Sequence, residues 1–269
     1  MSALIERLRD FLAEPGMAGV DIESDARIAV HREILREKKM IRQVFHEIYR
    51  TCAELDGRLF SGTGRRVELG SGAGLMKEFF PAVVATDVQP ARHLDLVLDA
   101  LALPFRDGSV RAFYAIDCFH HLPDPDRFFS ELGRALAPGG GCVLIEPYHG
   151  PVARWLYKRL FAGEDFDTGQ KEWRAGQSMG SMRGANQALS YVVFTRDRKI
   201  FERRYPGLEI LAERPLDHYL RYLASGGLNF RPLLPAACAP LLRLCERALK
   251  PLGRFLALHH VIVLGKRRE

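Results

Sequence analysis

The stretch Glu68-Leu69-Gly70-Ser71-Gly72-Ala73-Gly74 carries the strongest chemical signal in this chain. It joins a short apolar run at 66–69 to a helix-like start at 75–80. Glycines at such a junction let the backbone turn sharply and approach a ligand with no side chain between. Amides at a helix start can meet a polar or anionic group. The spacing is G-x-G-x-G with Leu75 following, whereas dinucleotide sites use G-x-G-x-x-G, so a nicotinamide dehydrogenase is disfavoured. Asp87 stops a second apolar run at 83–86, and Asp99 stops a third at 94–98. In a doubly wound sheet the end of the second strand lies beside the first glycine loop. A carboxylate there can accept both hydroxyls of a ribose, and Asp99-Ala100 can receive an adenine amino group. Taken alone, Asp87 has a strand-end turn as its lesser reading, and Asp99 reads most often as a loop residue. The ordered set is more specific than any member.

Proton-transfer candidates follow. His120 and His121 come just after a fourth apolar run at 112–116, and a neutral imidazole there can take a proton from an acceptor. Packing and a hydrogen bond are the plainer reading of the same pair. Glu146, Tyr148 and His149 follow a fifth run at 142–145 and are acceptor-site candidates, Tyr148 foremost as a catalytic one. The five cysteines are odd in number and form no CxxC pair, so neither a zinc site nor any other metal site is expected. Reduced thiols in a cytoplasmic protein are the simplest account.

These residues need a scaffold, and the patterning supplies one. A chain of 269 residues suits a single α/β domain with elaborations. A short amphipathic helix is expected at 3–13 and a long one over 24–56, with Ile34, Ile41, Phe45, Ile48, Cys52 and Leu55 on one face. Strands alternating with helices over 66–145 imply a parallel sheet covered on both faces. A helix at 128–136 should end at the turn Pro138-Gly139-Gly140-Gly141. Further strands are expected at 208–211 and 261–264, and an amphipathic helix at 233–256, broken near Pro240 and Pro251. Its apolar face would be Leu242, Cys245, Leu249, Leu252 and Leu256. The expected parts are an N-terminal helical extension or cap at 1–60, a core at 61–150, an insertion at 151–205, and the rest of the core at 206–269. The charged N-terminus does not read as a secretory signal, and no window approaches the ~18 apolar residues of a spanning helix.

With VELGSGAG, ATDV, LDALALPFRDGSV and DCFHHLPDPDRFFSELGRALAPGGGCVLIEP in order, residues 66–147 resemble the class I S-adenosylmethionine (SAM)-dependent methyltransferases, in particular the small-molecule branch. The resemblance implies a Rossmann-like α/β fold of seven mostly parallel strands. The last strand, near 258–265, would run antiparallel beside the one near 208–213. It implies that Glu68, Gly70, Ser71, Gly72 and Gly74 surround the methionine and ribose end of SAM. Asp87 would bind the ribose hydroxyls, Val88 the adenine, and Asp99 with Ala100 the adenine amino side. Ala115, Ile116 and Asp117 would border the sulfonium. The family often has an acidic residue where this chain has Arg111, so no local salt bridge is expected there.

The acceptor is not legible. Trp155, Tyr157, Phe161, Phe166 and Trp173 of the insertion can line a pocket or form its core, and the glycine-containing stretch at 174–184 suggests a lid. A small-molecule O-methyltransferase of a specialised metabolite, glycan or lipid is the leading expectation. The alternatives are an RNA methyltransferase, which the net charge of +6 permits, and a SAM-binding protein without activity. An RNA enzyme of this kind would carry an NPPY-like tetrad after the fourth strand, where residues 117–123 read Asp-Cys-Phe-His-His-Leu-Pro. Nucleic acid is therefore not the expected partner. The basic stretch at 233–256 allows peripheral membrane contact, with a helix packed on the sheet as the plainer reading.

Overall fold

The computed structural model describes residues 3–21, 24–160, 164–174 and 184–268. Three helices open the chain: α1 (Ala3–Leu12), α2 (Asp25–Glu37) and α3 (Lys39–Leu59). The alternation begins with β1 (Arg65–Leu69), α4 (Met76–Phe79), β2 (Val83–Asp87), β3 (Leu96–Val97) and β4 (Val110–Ile116). It continues with α5 (Pro125–Ala135), β5 (Leu136–Pro147), α6 (Pro151–Arg159), α7 (Leu189–Tyr191) and α8 (Arg198–Arg204). The chain closes with β6 (Leu208–Pro215), α9 (Tyr219–Ser225), α10 (Ala239–Ala248), α11 (Gly253–Leu256) and β7 (His259–Lys266). The seven strands form one sheet in the order β3-β2-β1-β4-β5-β7-β6. β1 through β5 pair in parallel, and β7 runs antiparallel to both β5 and β6. This is the expected seven-stranded Rossmann-like sheet.

Successive side chains of a strand point to opposite faces, and here both faces are dry. Phe113, Ala115, Leu144, Ile262 and Leu264 belong to the core on one side, with Phe128, Phe129 and Leu132 of α5 and Phe201 of α8. Tyr114, Val143, Ile145, Val261 and Val263 belong to the other, with Ile41, Val44, Ile48 and Cys52 of α3. α5 begins as its sequence dictates: Asp124 accepts the Arg127 amide at 3.1 Å, and Pro125 occupies the first turn.

Four expectations need correction. The long N-terminal helix is two helices broken at Lys38, whose ammonium pairs with Glu14 at 2.5 Å and donates to the Phe230 carbonyl at 2.6 Å. β5 runs through the glycine run instead of starting after it. A Cβ at Gly141 would stand 2.2 Å from the Phe60 ring, so strand and N-terminal segment cross too closely for a side chain. Arg111 does form a salt bridge, to Asp56 at 2.8 Å, and Asp56 also takes Arg66 at 2.5 Å and the Tyr114 hydroxyl at 2.9 Å. The expected helix at 233–256 is α10, a 3-10 turn at Lys250–Leu252 and α11, and Pro240 opens α10 without breaking it.

Candidate active site

Parallel strands deliver their following loops to one edge of a sheet. That carboxyl edge receives the glycine loop from β1, Asp87 from β2, Asp99 after β3, Asp117 to His121 from β4, and Glu146 from the end of β5. Gly70, Gly72 and Gly74 all have left-handed φ, at 62°, 49° and 62°. A Cβ at Gly70 would sit 2.5 Å from Cys118 Sγ, and one at Gly74 would strike the His93 ring. At Gly72 it would meet only the Gly70 carbonyl oxygen, at 3.9 Å, so the middle of the loop presents bare backbone to open space. The Gly72 amide donates to Asp87 Oδ2 at 2.8 Å, and the Gln89 amide to Oδ1 at 3.0 Å. Each carboxylate oxygen keeps a further lone pair, so the Asp87 carboxylate beside the loop can still accept a diol.

Ser71 locks the loop to the strand. Its hydroxyl donates to Glu68 Oε2 at 2.8 Å and accepts the Thr86 amide at 3.0 Å. Glu68 is buried. Burial pushes its carboxyl from 4.5 to about 8, against the Ser71 hydrogen bond and with help from the Asp87 charge. Because the folded value lies above the unfolded one, the fold holds an extra proton between about pH 4.5 and pH 8, and stability falls as pH rises through that window. Glu68→Gln keeps the shape and the acceptor for Ser71 but never ionises. Thermal melts are expected to show the variant several degrees above the parent near about pH 9 and level with it near about pH 5. A parent whose melting temperature does not fall over that range would contradict a neutral Glu68.

The remaining cofactor candidates divide. Val88 is exposed next to Asp87, and Ala100 is buried. Asp99 is exposed, and its Oδ1 closes a turn by accepting the Leu101 amide at 2.8 Å. The Ala115 side chain points into the core, so only its backbone reaches the edge, whereas Ile116 is half-buried. Asp117 has a left-handed φ of 47°. Its Oδ1 is buried without a hydrogen bond, 3.6 Å from His259 Nε2. Burial raises its carboxyl, and the His259 and His120 rings oppose that.

Behind Asp117 lies a histidine–carboxylate cluster. Glu146 is wholly buried and accepts the backbone amides of Cys118 and Phe119 at 3.1 and 2.8 Å, which ties the turn after β4 to the end of β5. Its Oε2 lies 2.6 Å from His120 Nδ1, and His120 Nε2 lies 3.3 Å from Glu164 Oε2. His121 Nε2 is 3.9 Å from Glu164 Oε1. Burial alone would strip the second proton from His120, but Glu146 and Glu164 on either side outweigh it and hold the ring well above its ordinary value. Burial works against ionisation of Glu164 too, and the His120 hydrogen bond overcomes it, bringing that carboxyl down to about 2. An imidazolium between two carboxylates satisfies all three groups. The His120, His121 and Glu164 donor atoms also lie within 4.8 Å of one another.

Tyr148 lies elsewhere: it lines a cleft with His149, Arg198, Glu213 and His260 along β6 and β7. Of the insertion's aromatics, Tyr157 and Phe166 stack on each other, Trp173 joins the main core, and Trp155 is exposed. Phe161 and residues 175–183 of the expected lid lie outside the described residues. Three contributors had no warning in the sequence. His93 Nε2 sits 2.8 Å from the Gly72 carbonyl. Arg32 of α2 donates to the Ala73 carbonyl and, at 3.1 Å, to that of Gly74, while pairing with Glu78 at 2.8 Å. Glu164 arrives from the insertion.

Residues 67–144 match the sequence model of a methyltransferase domain, and that stretch runs from β1 into β5 and includes the glycine loop. Its curated relatives include the chloroplastic tocopherol O-methyltransferase of Arabidopsis thaliana, 35% identical over 26% of this chain and 18% of the relative. Norajmaline N-methyltransferase of Rauvolfia serpentina is 37% identical over 19% of this chain and 18% of the relative. Demethylmenaquinone methyltransferase of Thermus thermophilus is 36% identical over 30% of this chain and 46% of the relative. The chain therefore spans less than half the length of these relatives. Among solved structures, geranyl diphosphate C-methyltransferase from Streptomyces coelicolor superposes with a TM-score of 0.45 at 15% identity, covering 99% of both chains.

Proposed function

We propose that the chain transfers the SAM methyl group to a small-molecule acceptor, oxygen being the favoured atom, in the biosynthesis of a specialised metabolite, glycan or lipid. The observation that carries this reading is the Asp87 carboxylate held on the Gly72 amide beside an open glycine loop. That loop shares its sheet edge with the His120–Glu164 cluster. The fit to SAM rests on the bare backbone at Gly72 and on the buried Asp117 Oδ1, which has no hydrogen bond and only the His259 ring at 3.6 Å, and these suit a compact cationic nucleoside. The SAM-dependent reading implies relatives acting on oxygen, nitrogen or carbon, and the choice of oxygen rests on the proton-accepting group proposed next.

When bound, SAM supplies an electrophilic methyl on a sulfonium, and the residues do the rest. Asp87 accepts the ribose hydroxyls, Val88 covers the adenine face, and Asp99 with Ala100 meets its amino side. Glu68, Ser71 and the Gly70 and Gly74 backbone shape the methionine end. Ile116, Asp117 and the Ala115 backbone border the sulfonium. His121 would take the proton that the acceptor oxygen loses on methylation. Glu164 stabilises the resulting imidazolium, and His120, fixed by Glu146, holds Glu164 in place. The insertion, which brings Glu164, and α2, which grips the loop through Arg32, form the acceptor-side lid and the cofactor-side cap. Positioning and water exclusion supply much of the rate. The five thiols stay reduced in a cytoplasmic setting.

The test is mass spectrometry of the purified protein for carried-over SAM or S-adenosylhomocysteine, followed by metabolite extracts supplied with methyl-deuterated SAM. Labelled product together with S-adenosylhomocysteine is the expected result. Tight SAM binding with no label transferred across extracts would favour a SAM-binding protein without activity.

A further inference from the structure

α10 leaves part of its apolar surface outside. Its inward face carries Ala239 and Glu246, both buried. Glu246 accepts Arg221 Nε at 2.7 Å and the Arg221 amide at 2.9 Å, while Arg221 clamps Glu47 of α3 at 2.7 Å. Arg243 also reaches Glu47. Ion pairs thus fasten the helix, and two of its three leucines are left outside: Leu241 is 64% exposed and Leu244 61%. Phe255 of α11 and Trp155 of α6, which packs against α11, are exposed as well. The expectation of an inward apolar face holds only in part, since Leu242, Cys245, Leu249 and Leu256 are half-buried and Leu252 is exposed.

Charge completes the pattern. Arg247, Lys250 and Arg254 are exposed among these apolar side chains. The only acidic residue in 231–256 is the buried Glu246, and α6 has none. We infer that this chain docks on an anionic lipid bilayer through the outward face of α10, α11 and α6. Leucines, an aromatic pair and a rim of arginine and lysine are what an interfacial helix needs: apolar groups to enter the acyl boundary and cations to meet the headgroups. A second copy of the chain is a poor occupant, because it would set one basic rim against another. α6 follows the carboxyl end of β5, and α11 leads into antiparallel β7, so the docking face borders the sheet edge that holds the candidate site. The docked chain would offer that edge to a membrane-borne acceptor.

Vesicle flotation of the full chain tests this, with phosphatidylcholine alone and phosphatidylcholine containing phosphatidylglycerol. The parent should float with the anionic vesicles at low salt and be released by high salt. Arg247→Gln and Arg254→Gln should each weaken binding about fivefold, and Leu241→Ser with Leu244→Ser at least about tenfold. Equal melting temperatures of parent and variants would separate lost docking from lost fold, and they ask nothing of the methyl-transfer reading. A parent that stays in solution with anionic vesicles at low salt overturns the inference. So does a leucine double variant that floats as well as the parent, or a parent dimer that the double variant turns into a monomer.

Discussion

Asp87→Ala is expected to bind SAM about 10²–10⁴-fold more weakly than the parent in a calorimetric titration, the cost of two hydrogen bonds to a charged group at about 1.5–3 kcal/mol each. The carboxylate is placed for two tasks. It holds the Gly72 amide at 2.8 Å, and so fixes the loop, and it faces the position of a ribose diol with its remaining lone pairs. Asp87→Asn separates them. An asparagine oxygen can still take the Gly72 amide, but its NH2 offers a donor where the diol needs an acceptor. The asparagine variant should therefore melt like the parent and still lose most of the affinity. If both variants bind SAM as tightly as the parent, the ribose assignment fails. If only the alanine variant is impaired, Asp87 serves the loop alone.

The order of elements was legible because each apolar run is short and ends on an acid or a glycine, which is how a parallel strand meets its loop. What could not be read were close approaches between distant segments. The run at 138–141 has the composition of a helix-stopping turn, and it is one by residue type. It lies within β5 because Gly141 must pass under Phe60 and Leu264, neighbours that composition does not reveal. Lys38 looks like any surface lysine in a helix until its ammonium is seen beside Glu14 and the Phe230 carbonyl. α10 was legible only in part for a related reason. Its apolar periodicity implies an inward face, and Leu242, Cys245 and Leu249 are half-buried as it requires, but the charged Arg221–Glu246 pair buried on that side had no warning.

The site divides the same way. Glycine loop and Asp87 are local to consecutive strand ends, so spacing alone brings them together. His93, Arg32 and Glu164 reach the edge from a loop, from α2 and from the insertion, and nothing in their own surroundings marks them. Tyr148 shows the converse: it follows β5 as the pattern required, yet the neighbouring β6–β7 cleft receives its ring. Position at a strand end thus predicts the edge of the sheet and not the pocket.

The two adjacent histidines should separate in their effects. His121→Ala is expected to lower kcat by about 10²–10⁴, the usual contribution of a general base, with SAM affinity unchanged. His120→Ala should instead cost about 3–5 kcal/mol of stability, because it strands Glu146 and leaves Glu164 with no cation on its inner side. Denaturant melts report the second effect and steady-state kinetics the first. His120 lies between two carboxylates that keep it charged, so it has no lone pair to offer an acceptor. Chelator treatment of the parent serves as the control, since the cluster could otherwise be read as a cation site. Turnover that survives chelation while His121→Ala abolishes it leaves the proton with the imidazole. Turnover lost to chelation and restored by a divalent ion would make His120, His121 and Glu164 ligands, and the charge on His120 would then belong to the metal.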